Sequence, residues 1–311
     1  MSVVRSEHPT DDLDPGGGRR DVLRERRRAT RVRVWASYRS SAMGVAGLII
    51  LAAFILMAIT APTLVDPADL DVTRVEGPSL APPSLAYPMG TDDAGRSVLD
   101  LVIWGSRISL FVGLLAAVVS MVVGSTIGIV SGYKGGVWDR MLMVFTDWFL
   151  VLPLIPLLIV LSGVLGQSLF VIILVIGLTS WPWTARLVRS QTLSVKERPY
   201  VERARGLGAH DRQLITRHVL PNVFPVIFAN TILQVALMIL LESTLSFIGL
   251  GNPTSVSWGT TLEKSFAAGA PTLGAWWWIG FPGLCIVLVV LAFTMCGNAL
   301  EEIVNPRLQE R

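Results

Sequence analysis

Residues 200–222 read YVERARGLGAHDRQLITRHVLPN and form a charged segment between long apolar runs. Charged side chains at the centre of a membrane cost about 2.5 to 3.5 kcal/mol each, so this segment cannot lie inside one. The runs that flank it are uncharged and long enough to do so. The alternation of charged and apolar segments therefore predicts a protein that crosses a membrane several times.

Five uncharged runs reach the length of about 20 residues that a helix needs to cross a bilayer. One of them, residues 148–185, is roughly twice as long and contains the turn-forming sequence SGVLGQS at residues 162–168, which predicts two helices. We therefore predict an all-α integral membrane protein with six transmembrane helices. The five runs are residues 40–65, 108–133, 148–185, 220–241 and 265–300.

The basic residues predict the orientation of the chain in the membrane. The first 41 residues carry ten arginines, and residues 186–217 carry eight Lys or Arg against three acidic residues. Residues 62–101 are mostly acidic among their charged positions. Because Lys and Arg are enriched on the cytoplasmic side, the N-terminus and the charged loop are predicted to be cytoplasmic, and six spans return the C-terminus there.

These patterns also predict the organisation of the chain, including a short helix near residues 259–268. Cys285 and Cys296 lie eleven residues apart in the last span, about 16 Å along a helix, which is too far for a disulfide between them. The predicted segments are a disordered basic cytoplasmic tail (1–39), a first transmembrane helix (40–62), an extracytoplasmic loop (63–103), a region with five transmembrane helices (104–300) that includes a cytoplasmic loop (196–219) and an extracytoplasmic segment (250–274), and a cytoplasmic tail (301–311).

Several classes of function are excluded by the motifs that the chain lacks. It has no GxxxxGK[ST] phosphate-binding loop, no HExxH and no GxSxG, so neither its own ATP site nor a hydrolase centre is predicted. His8, His210 and His218 have no acid or cysteine partners at metal-ligand spacing, and no metal is predicted. The basic residues are not gathered on a soluble domain, so nucleic acid is not a predicted partner.

Two acidic residues lie within the predicted spans. Asp147 is placed toward the cytoplasmic side of the third span, and Glu242 lies in the outer part of the fifth. Each is interpreted as an interhelical hydrogen-bonding group, with a role in a substrate or proton pathway left open. An intramembrane protease would need two carboxyl groups at one depth, and these two are predicted at opposite sides.

The charged loop has its own local pattern. Pro199 suits the first turn of a helix, and Gly206 with Gly208 allows the backbone to turn after it. A second helix is predicted over residues 210–220, followed by a transmembrane span that begins at Pro221. Two short helices around a glycine turn form a polar surface that suits a protein partner better than a lipid surface.

This loop resembles the EAA motif of ABC-importer permeases, in which E-A-A, three residues, G, nine residues and I-x-L-P follow one another. Arg203 stands where the motif has its first alanine, and His218 stands where it has isoleucine. The ending RHVLPN is similar to that of the dipeptide/oligopeptide permease subfamily. The resemblance assigns coupling to an ATPase to eight residues: Glu202, Arg203, Ala204, Leu207, Gly208, Ala209, Leu214 and Pro221.

Three further blocks resemble the C-type subunit of the peptide permeases. They are MGTDDAGRSVLDLVIWGSRISL at residues 89–110, SGYKGGVWDRMLMVFTD at residues 131–147 and ESTLSFIGLGNPTSVSWGTTL at residues 242–262. With the loop, the resemblance covers residues 35 to 308. It implies the type I ABC importer permease fold in a bacterial inner membrane.

The resemblance also implies partners and a mechanism. A second, B-type permease would complete the translocation pathway, and an extracytoplasmic binding protein would deliver a di- or oligopeptide. Two cytoplasmic ATPases, or one fused ATPase, would bind ATP and Mg²⁺, so this chain would be a non-catalytic subunit without a cofactor. Closure of the ATPases would move the loop as a lever.

Other interpretations stay open at this stage. Related permeases carry nickel chelates, glutathione or other small solutes, and a single sequence does not choose among them. A secondary transporter would be expected to show internal repeats and midplane charges, which are not seen. A membrane enzyme lacks a catalytic set of residues.

Overall fold

The structure, a computed structural model, describes residues 35–75 and 77–304. Over these residues it consists of helices joined by turns, without a β-strand. We number ten helices in chain order: α1 (Ala42–Leu64), α2 (Val98–Lys134), α3 (Gly136–Val151), α4 (Leu154–Leu165), α5 (Leu169–Lys196), α6 (Pro199–Gly206), α7 (Asp211–Leu214), α8 (Leu220–Leu245), α9 (Trp258–Ala267) and α10 (Trp276–Val304).

Five helical stretches are long and apolar enough to cross a membrane, and α3 with α4 forms a sixth if the pair counts as one span. The sequence predicts a single helix for the third span. The structure instead has two helices there, α3 and α4, which meet at 88°. The bend lies at Leu152, whose backbone is extended (φ −69°, ψ 128°). Pro153 follows it, and a proline disfavours the helical conformation in the preceding residue.

Two helices extend further than predicted. The second span begins at Val98, inside the segment predicted as an extracytoplasmic loop, because the Ser97 side chain accepts a hydrogen bond from the backbone N–H of Asp100 at 3.3 Å. A serine in this N-cap position satisfies a free N–H of the first turn. The fourth span continues to Lys196, beyond the uncharged run that ends at residue 185.

The centre of the bundle is the contact between α2 and α5. Gly124, Gly128 and Gly132 repeat every four residues along one face of α2 and lie directly against α5. A Cβ at Gly128 would sit 2.6 Å from the carbonyl oxygen of Ala185, so no larger residue fits without moving the helices apart. Within a membrane, helices associate largely by such close van der Waals contact.

The bundle has two ends, which we name by their residues. The arginine end comprises residues 134–136 and 197–214, and the tryptophan end comprises residues 66–97 and 251–275. Most of the predicted tail of residues 1–39, and residues 305–311, lie outside the described residues. Cys285 and Cys296 are both free thiols, in agreement with their spacing in the sequence.

The tryptophan end is a folded cap that rests on a buried ion pair. Arg96 donates hydrogen bonds to the Asp92 carboxylate from Nε at 2.7 Å and Nη2 at 2.6 Å, and both side chains are almost completely buried. The same carboxylate accepts from the backbone N–H of Arg96 at 2.7 Å and of Ala94 at 3.0 Å. Burial raises the pKa of the Asp92 carboxyl, and the neighbouring Arg96 opposes that shift.

Candidate functional site

The arginine end carries the loop that resembles the EAA motif. Helix α6 begins with Pro199 in its first turn and ends in a turn in which Gly208 has φ +84°. The N–H of Gly208 donates to the carbonyl of Arg205 at 3.0 Å, and that of Ala209 donates to Ala204 at 3.1 Å. These bonds close the C-terminus of α6 with glycine in the left-handed conformation that side chains disfavour.

One face of this loop is anchored in the bundle. Val201 of α6 and Leu214 of α7 are fully buried and belong to one apolar cluster. Ala204 and Ala209 pack against it and are half-buried. The other members of the cluster come from α2, α5 and the region of Pro221: Ile129, Tyr133, Val188, Val195, Val219, Val223 and Ile227.

The opposite face of the loop is exposed. Glu202, Arg203, Arg205 and Gly208 all lie on it, and the side chain of Leu207 is 89% exposed. The sequence-predicted coupling residues therefore divide into two groups. Glu202, Arg203, Leu207, Gly208 and Pro221 are at the surface, whereas Ala204, Ala209 and Leu214 face the bundle and hold the surface in place.

The second helix of the loop is not a separate element. Residues 211–245 form one helix, here called the long helix, in which α7 continues into α8 through a π-helical segment, Ile215–Val219. The predicted start of a new helix at Pro221 is therefore wrong. A proline has no N–H, and its ring crowds the preceding turn of a helix. The π-helical segment accommodates Pro221 without a break, because the N–H of Leu220 donates to the carbonyl five residues back, at Ile215.

Tyr133, at the end of α2, ties the loop to the bundle. Its hydroxyl donates to Asp211 at 2.7 Å, at the first residue of the long helix, and its carbonyl accepts from Lys196 Nζ at 2.6 Å. The guanidinium of Arg205 lies 5.8 Å from the centre of its ring. Through its side chain and its backbone carbonyl, Tyr133 thus contacts the end of α5, the end of α6 and the start of the long helix.

An ion pair fixes α3 beside this anchor. Arg189 of α5 donates to both carboxylate oxygens of Asp139, at 2.6 and 2.7 Å, and Ser131 of α2 donates to the same carboxylate. The two parallel bonds of an arginine to a carboxylate define the relative orientation of the groups. This pair therefore joins α2, α3 and α5 next to the loop.

The two acidic residues predicted inside the membrane have separate surroundings. Asp147 accepts a hydrogen bond from Arg186 of α5 at 2.7 Å, and both side chains are about half exposed. Glu242 is buried near the other end of the long helix, where the hydroxyls of Ser109 and Ser246 reach it at 3.2 and 2.9 Å.

Several of these residues were not found from the sequence. Tyr133, Asp139 and Ser109 lie in stretches quoted above for their resemblance, but the sequence did not indicate their contacts, because their partners lie between 8 and 133 residues away along the chain. The four-residue spacing of Gly124, Gly128 and Gly132 is a signal of close helix packing that was available in the sequence. Among the described residues, no group of three His, Cys, Asp or Glu is placed to hold a metal ion.

The chain matches two family descriptions. Residues 124–310 match "Binding-protein-dependent transport system inner membrane component", and residues 31–83 match "N-terminal TM domain of oligopeptide transport permease C". The first match covers the long helix, the loop and the anchors around Tyr133 and Asp139.

Curated relatives are similar over most of their length. The dipeptide transport system permease protein DppC of Bacillus subtilis is 34% identical over 88% of this chain and 85% of its own. The oligopeptide transport system permease protein OppC of the same organism is 35% identical over 88% of both chains. A putative peptide transport system permease protein of Brucella suis is 35% identical over 97% of both chains.

The family match spans more than half of the chain, and the relatives share about a third of its residues over nearly its whole length. The matched region also contains the exposed loop, its buried anchors and the long helix. The chain therefore belongs to the family of binding-protein-dependent transport system inner membrane components.

Proposed function

We propose that this chain is the permease subunit of an ATP-driven importer of di- or oligopeptides. The observation that carries the proposal is the long helix, which begins in the exposed loop at Asp211 and reaches the opposite end of the bundle at Leu245. A partner bound to the loop can therefore displace a rigid element that passes through the whole bundle. The named relatives in peptide transport support peptides as the substrate class.

The arginine end is cytoplasmic in this proposal, with the chain termini on the same side. The basic residues around the loop support this orientation, since Lys and Arg are enriched on the cytoplasmic side. The tryptophan end then faces outward. Its folded cap, with the buried pair of Asp92 and Arg96, is the surface that an extracytoplasmic binding protein would meet.

The chain acts as a non-catalytic half of the pathway. A second, B-type permease completes it, and two ATPases, or one fused ATPase, bind ATP and Mg²⁺ in the cytoplasm. One ATPase meets the exposed face that Glu202, Arg203 and Leu207 form, and the other meets the corresponding loop of the B-type permease. Because Val201 and Leu214 hold the opposite face against the bundle, a displacement of the loop passes into the long helix instead of being lost in a flexible connection.

Reconstitution tests the function directly. The chain is purified with its B-type permease and ATPases, placed in lipid vesicles, and supplied with the binding protein and radiolabelled di- and oligopeptides. We expect ATP-dependent peptide uptake and peptide-stimulated ATP hydrolysis. Uptake that proceeds in the chain alone without ATPases would instead indicate a secondary transporter, and ATP-dependent uptake of a nickel chelate or glutathione, but not of peptides, would change the substrate class.

The tip of the loop gives a sharper prediction about docking. Leu207 is an exposed apolar side chain on a charged surface, so burial against an ATPase is expected to stabilise the complex by about 1.5 to 3 kcal/mol. Leu207→Asp should raise the Kd of the permease for its ATPase by at least about tenfold, measured as ATPase recovery over a range of ATPase concentrations. The matched control is Leu85→Asp, since Leu85 is fully exposed at the tryptophan end. Equal ATPase recovery with both variants would contradict docking at this loop.

A further inference from the structure

Glu242 lies in a pocket of hydroxyl groups at the tryptophan end of the long helix. Its carboxyl is completely buried, and among the described residues its hydrogen-bond partners are serines and not cations. Ser109 of α2 donates to Oε2 at 3.2 Å, Ser243 donates to Oε2 at 3.3 Å and Ser246 donates to Oε1 at 2.9 Å.

The same hydroxyl cluster holds α9. Ser109 donates to Glu242 and accepts from the backbone N–H of Trp258, the first residue of α9, at 3.3 Å. The indole N–H of Trp258 donates to the carbonyl of Val102 in α2 at 2.9 Å, and the whole side chain is buried. Glu242, Ser109 and Trp258 therefore form a chain of contacts from the long helix through α2 to α9.

Backbone contacts leave no room between these elements. A Cβ at Gly259 of α9 would lie 2.7 Å from the carbonyl oxygen of Ser243, and one at Gly105 of α2 would lie 3.1 Å from Trp258. The first turn of α9 is thus wedged between α2 and the end of the long helix. Helix packing of this density transmits displacement because it does not deform continuously.

Glu242 and Asp211 lie near opposite ends of the long helix, so this cluster is far from the exposed loop. At about 1.5 Å per residue, Glu242 lies roughly 45 Å from Asp211, the residue that starts the long helix in the exposed loop. Apolar packing would hold α9 at a lower cost than a buried carboxyl group, which is expensive at membrane depth. What hydrogen bonds add to packing is a defined register between the helices.

We propose that Glu242 is a positioning residue that ties α9 to the long helix, so that a displacement of the loop at the arginine end moves α9 at the opposite end. The tie runs through the hydroxyl of Ser109, which bonds both Glu242 and the N–H of Trp258, while Ser243 and Ser246 hold the carboxyl in place from its own helical stretch. It delivers the movement to the outward surface where peptide arrives. This inference rests on the proposed function, which supplies the displacement at the loop.

A label on α9 tests the tie in the complete complex. Ala267→Cys places a thiol at an exposed position of α9, and an environment-sensitive fluorophore reports its surroundings without nucleotide and after trapping with ATP and vanadate. The complex without the added cysteine controls for labelling of Cys285 and Cys296. We expect a nucleotide-dependent change in the wild-type background and none with Glu242→Ala.

The variants separate a tie from a general loss of structure. Glu242→Gln keeps an oxygen that can accept from Ser246 and a group that can donate to Ser109, so it should restore the signal. Ser109→Ala removes both the bond to Glu242 and the bond from the Trp258 N–H, and should reduce it. Thr244→Ala is the matched control, because Thr244 lies two residues from Glu242 but its hydroxyl donates only within its own helix, to Leu240. Thermal unfolding of each complex is measured in parallel.

Transport efficiency gives the second measurement. Glu242→Ala should lower the number of peptides taken up per ATP hydrolysed by about fivefold or more, the lower range of typical coupling between sites, while ATP hydrolysis continues. An unchanged ratio, or a fluorescence change equal to that of the wild type, overturns the tie. If Glu242→Ala does not assemble, the same criteria apply to Ser109→Ala.

The outcomes distinguish this inference from the proposed function. A wild-type complex without peptide-dependent ATP hydrolysis overturns both. A working wild-type complex whose α9 label does not respond to nucleotide overturns the inference alone, as does a full response in Glu242→Ala.

Discussion

Gly208→Pro is expected to abolish peptide-stimulated ATP hydrolysis while the permease remains inserted and paired with its partner subunit. Gly208 has φ +84°, and its N–H donates to the carbonyl of Arg205 at 3.0 Å. Proline is held near φ −65° and has no N–H, so it can satisfy neither requirement. The turn between α6 and α7 would then not form, and the exposed face of the loop would lose its shape. Measurement of ATPase activity with and without peptide checks this expectation.

Two alanine variants separate backbone geometry from side-chain volume. A Cβ at Gly208 or at Gly206 would meet no atom within 4 Å, so neither variant is crowded. Alanine at Gly208 must adopt a left-handed conformation at a cost of about 1 to 2 kcal/mol, which lowers the population of the native turn roughly 5- to 30-fold. Alanine at Gly206, the last residue of α6, suits a helix better than glycine does. Equal activity of the two variants would show that the turn is not required for coupling.

Arg96→Met is expected to destabilise the tryptophan end by about 3 to 5 kcal/mol, because it leaves the buried carboxylate of Asp92 without its partner. The cap between α1 and α2 should open, and we expect loss of uptake driven by the binding protein while the ATPases still co-purify. Thermal unfolding of the purified complex, with uptake in vesicles, measures both effects.

The double variant Asp92→Asn, Arg96→Met is the matched control, since it removes both charges and should recover part of the lost stability. The pH dependence gives a further check. Burial already raises the pKa of Asp92 above its ordinary value of 3.8, and removal of Arg96 raises it more. The ionisation cost is absent below that ordinary pKa and grows as the pH rises, so the single variant should lose stability toward neutral pH relative to the double variant. Parallel pH profiles would contradict the role of this ion pair.

The apolar runs of the sequence predict most of the spans, but they do not predict where a span bends. The run at residues 148–185 was correctly divided at its glycine-containing turn, where Gly166 has φ +96°. The bend at Leu152 was missed, although Pro153 was visible, because a proline in an apolar run also fits an unbroken membrane helix. Pro182 of α5 and Pro225 of α8 are examples of that outcome.

The residue spacing indicates the loop, but it does not indicate which side chains of the loop are buried and which are exposed. Leu207 and Leu214 are the same residue type in one short segment, yet one is at the surface and the other is fully buried. The helical period places residues on faces without saying which face meets the bundle. That choice depends on the cluster around Val201 and Tyr133, whose members come from four stretches of chain.

The sequence by itself determined that this is a multi-span membrane protein with a charged, glycine-broken loop, because charge and apolar length report directly on transfer between water and lipid. Only the tertiary structure decided which partners the polar groups take. Asp147 pairs with Arg186, Tyr133 with Asp211 and Glu242 with Ser109, each across 39 to 133 residues of chain. Such pairs form because helices pack side by side. The residue order along one helix does not specify which face of a neighbouring helix it contacts.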